Sequence, residues 1–256
     1  MSGLRGGEPA VSGHSKWHNI KIKKGKTDQQ RGKLFSKLAR EIIIAAKAGG
    51  SDPAGNMRLR AAIDRAREAS MPNDNIQRAI QRGTGGGEGV SYEEMTYEGM
   101  APGGVAVLVQ ALTDNRNRTA SEIRNIFAKA EGALGASVGW LFEKKGVITI
   151  RKASASEEDV LGTAVEAGAE DMKVTSDEYE ITVAPEDLAR VKQALEAAGY
   201  RPSSAEVTLV PKSTVPVQGK DAQRVLRLLE ALEDHDDVQH VYANFDIPDE
   251  VLEEVG

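Results

Sequence analysis

At 256 residues, with 40% apolar content and both charge signs abundant, the chain has the composition of a soluble globular protein of about one to three domains. No stretch approaches the ~18 apolar residues that a membrane-spanning helix needs, and the first eleven residues, MSGLRGGEPAV, lack the apolar core of a secretory signal. There is no cysteine, which removes disulfides, thiolate metal sites and cysteine nucleophiles and suits a reducing cytoplasm. The net charge of −6 hides a division: residues 12–82 carry 16 Lys and Arg against 6 Asp and Glu, which leaves −16 for residues 83–256.

Residues 1–11 are Gly-rich and are expected to form a disordered extension. The basic head follows. Lys16, Lys21, Lys23, Lys24, Lys26, Arg31, Lys33, Lys37 and Arg40 face a single acid, Asp28. A basic segment on an acidic chain points to a polyanionic partner. A membrane surface would also require an apolar face beside the charge, and none precedes Leu34, so the expected polyanion is nucleic acid. Trp17, with His18 beside it, is open to two readings: stacking on a base, or packing against the helices that follow.

Thr27-Asp28-Gln29-Gln30 fits a capping box and predicts a helix to about Ala48, ended by Gly49-Gly50. Leu34, Leu38, Ile42, Ala45 and Gly49 recur at helical spacing on its buried side, while Lys33, Lys37, Arg40 and Lys47 gather in a stripe on the other. A second helix is predicted over residues 54–69, its apolar face Leu59, Ala62, Ile63 and Ala66, flanked by Arg58 and Arg65 on one edge and Arg60 and Arg67 on the other. A third starts near Pro72-Asn73-Asp74 and ends at Gly83. Together these make a basic helical domain over residues 12–82.

GTGGGEG, residues 83–89, reads as a flexible linker; no Gly-Lys-Ser/Thr follows and no strand precedes it, as a phosphate loop would require. Met95–Gly104 is open to two readings, a functional loop or, favoured, a Gly-rich turn into an apolar strand at Val105–Ala111. Thr119-Ala120-Ser121-Glu122 is a second capping box, opening a helix to about Glu131. Strands follow at Trp140–Glu143 and Gly146–Ile150. Residues 146–210 then read β-α-β-β-α-β, a ferredoxin-like unit. Its flanks, 90–143 and 214–248, supply β-α-β each, and closing them together makes a second such unit with the first inserted in it. Within the second flank, Asp221–Leu232 reads as a helix and Val238–Asp246 as the last strand. The expected fold class is therefore α+β multidomain: an N-terminal three-helix domain followed by two ferredoxin-like domains, one inserted in the other.

Chemistry-bearing constellations are sparse. His14 and His18 are four apart, but the lysines around them repel a cation and no third ligand is near. His235, in Glu233-Asp234-His235-Asp236-Asp237, reads as part of a solvated loop whose acids would hold a divalent ion only loosely. No serine sits in a Gly-x-Ser-x-Gly setting. No catalytic residue, metal or cofactor is expected, and aromatics at 4% are too few for an RNP-like stacking sheet.

Several segments carry a family resemblance. Ser12 to Lys21 (SGHSKWHNIK), Lys33 to Leu38 (KLFSKL), Met71 to Ile76 (MPNDNI), Tyr97-Glu98-Gly99 and Thr113 to Thr119 (TDNRNRT) resemble the YebC/PmpR family, relatives of the mitochondrial translational activator of cytochrome c oxidase. The resemblance runs from Ser12 to about Pro248 and implies a three-domain cytoplasmic regulator without catalytic activity. Family members begin near Met-x-Gly-His-Ser-Lys-Trp, so the start is expected at Val11; a native peptide containing Leu4 or Arg5 would refute this.

The resemblance implies either a DNA-binding transcriptional regulator or a translation factor on the ribosome that relieves stalling at proline-rich sequences. The partner is thus DNA, ribosomal RNA, or both, and the flexible arm tilts the reading toward RNA. The residues expected to bind it are Lys16, Trp17, His18, Lys21, Lys23, Lys24, Lys26, Arg31, Lys33, Lys37, Arg40, Lys47, Arg58 and Arg60. A small-ligand sensor using the ferredoxin-like domains is the alternative of a different class; ligand-dependent melting, indifferent to charge reversal in the head, would mark it.

Overall fold

The computed structural model describes residues 28–85, 91–175 and 177–247. The head is three helices: α1 (Asp28–Gly49), α2 (Met57–Glu68) and α3 (Asn73–Thr84). Thr27 of the predicted capping box lies outside the described residues. Helix α2 starts later than residue 54, because Asn56 is its cap: the Asn56 carboxamide accepts from Leu59 N at 3.0 Å and donates to Ala45 O at 2.8 Å, tying the α2 start to α1. Leu38, Ile42, Ala45, Leu59, Ala62, Ile63, Ala66, Ile76 and Ile80 close one apolar cluster. Each fully buried Leu or Ile side chain there contributes about 1.5–3 kcal/mol. Gly83 belongs to α3 and not to a linker: a Cβ there would lie 2.5 Å from Ile43 O and 2.8 Å from the Ala46 Cβ, so the missing side chain lets α3 close on α1.

The next elements are β1 (Glu93–Ala101), β2 (Val105–Thr113), α4 (Arg116–Lys129) and β3 (Ala133–Leu134). The expected turn at Met95–Gly104 is mostly strand: β1 pairs antiparallel with β2 from Glu93↔Thr113 to Ala101↔Val105, and only Pro102–Gly104 turn, with Gly103 and Gly104 at φ 75° and 78°. Gly99 sits in β1 because a Cβ there would meet the Phe127 ring at 2.6 Å and Ala133 O at 2.7 Å. The first flank therefore opens with a hairpin where β-α-β was expected. Helix α4 begins at Arg116, capped by Asn115, whose side chain accepts from Arg118 N at 3.1 Å; the Thr119–Glu122 box is already inside the helix.

The two strands predicted around Lys144-Lys145 are one, β4 (Phe142–Arg151), since alternation lets both lysines sit on the strand without interrupting it. Helix α5 (Glu157–Glu166), β5 (Asp171–Val174), β6 (Glu178–Val183), α6 (Leu188–Ala197) and β7 (Ser204–Pro211) complete the inserted unit. Its antiparallel sheet has the order β5-β6-β4-β7, the ferredoxin-like arrangement, with Ile148, Ile150, Val160, Ile181, Val191 and Leu195 beneath it. The chain then returns through β8 (Val215–Pro216) and α7 (Gly219–Glu233) to β9 (Val238–Ala243) and β10 (Phe245–Asp246). The predicted single last strand is broken at Asn244, whose buried side chain accepts from Ala106 N at 2.7 Å.

β9 joins β2, giving a sheet of order β3-β1-β2-β9 whose two sequence flanks meet across the insertion. Helices α4 and α7 cover one face, burying Val107, Val109, Phe127, Leu226 and Leu229. Ala106, Leu108 and Tyr242 on the other face meet Val138 and Phe142 at the root of the inserted unit. The fold is thus α+β and multidomain: a helical head and two four-stranded antiparallel sheets. No helix among the described residues is long and apolar enough to cross a membrane.

Candidate nucleic-acid interface

Of the residues expected to bind nucleic acid, Lys16, Trp17, His18, Lys21, Lys23, Lys24 and Lys26 lie outside the described residues. Arg31 is exposed on α1. Lys33, Lys37 and Arg40 do share one face of α1, as their spacing predicts, but that face is not open. Lys33 Nζ donates to Asp234 O at 3.2 Å and Lys37 Nζ to Glu233 O at 2.6 Å. Arg40 Nη1 donates to Asp236 O and, at 3.0 Å, to Asp237 Oδ1. The Arg40 guanidinium also lies 5.5 Å from the Tyr92 ring centre. Lys47 Nζ donates to Ser91 Oγ at 2.9 Å. Arg58 pairs with Glu94 on β1, and Arg60 folds back on Pro53 O and Ala54 O at 3.0 and 3.1 Å. The stripe is therefore laid on the segment between α7 and β9. Arg67, Arg78 and Arg82 remain exposed on the head.

The segment that receives the stripe is the Glu233–Asp237 run, expected to be a solvated loop. Asp237 is instead buried, its side chain 4% exposed. Oδ1 accepts from Arg40; Oδ2 accepts from Arg118 Nη2 at 2.8 Å and from Thr119 Oγ1 at 2.7 Å. Thr119 Oγ1 also lies 2.7 Å from Thr113 Oγ1, so the TDNRNRT stretch folds into a cradle for this one carboxylate. The same Arg118 Nη2 also donates to Asp114 Oδ1 at 2.8 Å. Sequence periodicity missed this hub because Asp237 is far away along the chain; the only local signal was a dense polar motif closing a strand.

His235 is also engaged. Its Nδ1 accepts the Asp237 backbone N–H at 3.1 Å, which places the ring proton on Nε2, where it donates to Glu122 Oε2 at 2.9 Å. Glu122, His235 and Asp237 could converge on a metal ion. Two guanidinium groups already neutralise Asp237, however, and they oppose a cation there, so the arrangement reads as an ion-pair hub. The second described histidine, His240, lies 3.5 Å from Glu41 Oε1.

Burial alone would raise the pKa of Asp237, but hydrogen bonds from Thr119 and Arg118 and the charges of Arg40 and Arg118 outweigh it and hold the carboxyl below its ordinary value. Glu41 behaves alike: burial raises it, while His240, Arg65 and Arg58 bring it down on balance. A depressed folded-state pKa gives stability that is complete above the unfolded-state value and is lost as pH falls through the folded one. Unfolding free energy should therefore decline below roughly pH 5. In urea titrations across that range, Asp237→Asn should flatten the decline; an unchanged slope would remove Asp237 as its source.

Beside the hub, a cleft of about 210 Å³ separates α1 and α2 from the sheet, lined among others by Glu41, Arg58, Arg65, Gln110, Gln239 and His240. Arg65 Nη2 stands 2.9 Å from Glu41 Oε2. Arg65 Nε and Gln239 Nε2 are buried there without a hydrogen-bond partner.

Fold and interface together define a class: an α+β protein in several parts, whose basic helical head rests on a sheet domain through cation-to-oxygen contacts. Residues 15–86 match the family model described as the TACO1/YebC protein N-terminal domain, and residues 92–245 match that of the TACO1/YebC second and third domain. The chain belongs to the TACO1/YebC family. A probable transcriptional regulatory protein of Dictyoglomus thermophilum is 58% identical over 249 residues, covering 96% of this chain and 100% of that one. One of the same name from Moorella thermoacetica is 57% identical over 250 residues, covering 96% and 99%. The crystal structure of a conserved hypothetical protein from Aquifex aeolicus matches with a TM-score of 0.77 at 52% identity, covering 88% of this chain and 93% of that one.

Proposed function

We propose that this chain is a non-catalytic, nucleic-acid-binding regulator of gene expression that engages phosphate through its basic head. The observation that carries the reading is the charge division: 16 basic against 6 acidic residues over 12–82, in a chain of net charge −6. The acidic remainder repels phosphate, so the head is the part that can approach it. The name of the relatives, probable transcriptional regulatory protein, supports a regulatory role. Base-specific readout has little support. The stripe is lysine-rich and phosphate-like in its demands, and few Asn, Gln or Arg side chains stand beside it to read base edges.

Between the two partners, RNA is favoured by the composition of Lys16–Lys26, a run of cations with Trp17 at its head, which suits a structured polyanion better than a two-fold operator. Crosslinking in cells followed by sequencing of the bound nucleic acid tests the choice. Mostly ribosomal RNA is expected, with the protein sedimenting with ribosomes. Discrete promoter DNA without ribosome sedimentation would establish the transcriptional reading instead, and recovery of neither would end the proposal.

A further inference from the structure

The cations best placed to hold phosphate are already holding oxygens. Lys33, Lys37 and Arg40 contact Asp234 O, Glu233 O, Asp236 O and the Asp237 carboxylate, a row of acceptors at the C-terminal end of α7. That end carries the negative pole of a 15-residue helix and four acidic side chains within five residues. Successive oxygens along a segment of negative charge are also what a nucleic-acid backbone presents. We propose that the α7–β9 segment is a built-in polyanion mimic that latches the head, and that nucleic acid must displace it to reach the stripe.

The interface has the features of a contact made to come apart. Polar ties are prominent in it: Lys33, Lys37 and Arg40 on the α7 end, Lys47 on Ser91, Arg58 on Glu94 and His240 beside Glu41. The apolar cluster of the head and that of the sheet domain are separate, so each part keeps its own core when the head undocks. Such a latch lowers apparent affinity by the fraction of molecules in which the head is free. It would also favour long or highly charged polyanions, which can replace all the contacts at once.

The inference rests on the phosphate-binding reading of the stripe, and the test separates the two. The full chain is titrated with a fluorescein-labelled RNA hairpin by anisotropy, and hydrogen exchange is followed with and without the hairpin over α1 and residues 233–240. In the natural protein, the hairpin should slow exchange in α1 and speed it in 233–240. Asp237→Asn should bind the hairpin about threefold to thirtyfold tighter, with 233–240 already fast before RNA is added. Because Lys33 and Arg40 also hold the backbone oxygens of Asp234 and Asp236, the exposed pair Asp234→Asn and Asp236→Asn removes charge while keeping those acceptors and controls for repulsion alone. It should tighten binding less than Asp237→Asn; equal tightening by both, with exchange in 233–240 unchanged before RNA in both, marks only reduced repulsion and overturns the latch. Binding that protects both segments, or leaves 233–240 unaffected, also overturns the latch while leaving the phosphate reading intact. No binding by any variant overturns both.

Discussion

Replacing Asp237 by alanine is expected to remove about 3 kcal/mol from the stability of the sheet domain. The reason is convergence. One carboxylate, 4% exposed, accepts from Thr119 and Arg118 on α4 and from Arg40 on α1, and so ties two helices to the start of β9. Hydrogen bonds to a charged group contribute about 1.5–3 kcal/mol each, offset by the cost of desolvating the carboxylate. Arg118, at 43% exposure, can turn to water once its partner is gone, and the buried Thr119 hydroxyl keeps Asn115 O at 3.1 Å and Thr113 Oγ1 at 2.7 Å, so the loss comes from the carboxylate's own bonds and the gap it leaves. Native-state hydrogen exchange of β2, α4 and β9 measures the loss locally. The control is Arg58→Ala. Arg58 and Glu94 are each about half exposed, and such pairs contribute roughly 0–1 kcal/mol. If Asp237→Ala cost no more than Arg58→Ala, the hub would have no special role.

The hub also shows where sequence reading stops. Helices were legible where a local signal starts or stops them: Pro72-Asn73 before α3 and the Gly49-Gly50 pair at the end of α1. The ferredoxin-like order of the inserted unit followed from alternating apolar runs with caps between them. Strand β1 was not legible, because Glu93, Glu94 and Glu98 with Gly99 and Gly103 resemble a turn in composition. Its apolar face is only Met95, Tyr97 and Ala101, and Gly99 is there to admit Phe127. Glu98 itself is used, accepting from Val138 N and Gly139 N to hold the turn before β4. The stripe illustrates a different limit. Helical periodicity correctly gathers Lys33, Lys37 and Arg40 on one face, but it carries no information about what lies opposite. Only the tertiary fold brings Glu233–Asp237 there.

That limit sharpens what the arm must do. If the stripe is held by the protein's own oxygens, first contact with nucleic acid falls to cations outside it, above all Lys21, Lys23 and Lys24. Replacing these three by alanine should reduce the magnitude of the log K against log [salt] slope by roughly 2–3, since each phosphate neutralised adds about 0.7 to 0.9. Replacing Lys33 and Lys37 should change the slope less than two free cations would. The natural protein spends part of its binding free energy on breaking Lys33–Asp234 and Lys37–Glu233 contacts, which salt weakens too. Fluorescence anisotropy across a salt series, with matched RNA and DNA hairpins, measures both slopes. An unchanged slope in the triple variant would mean that the arm does not touch phosphate. The encounter would then pass to Arg67, Arg78 and Arg82 on the exposed side of the head. A full two-cation slope for Lys33 and Lys37 would mean that the stripe meets nucleic acid unopposed, and the helix end at Glu233 would be only a resting place.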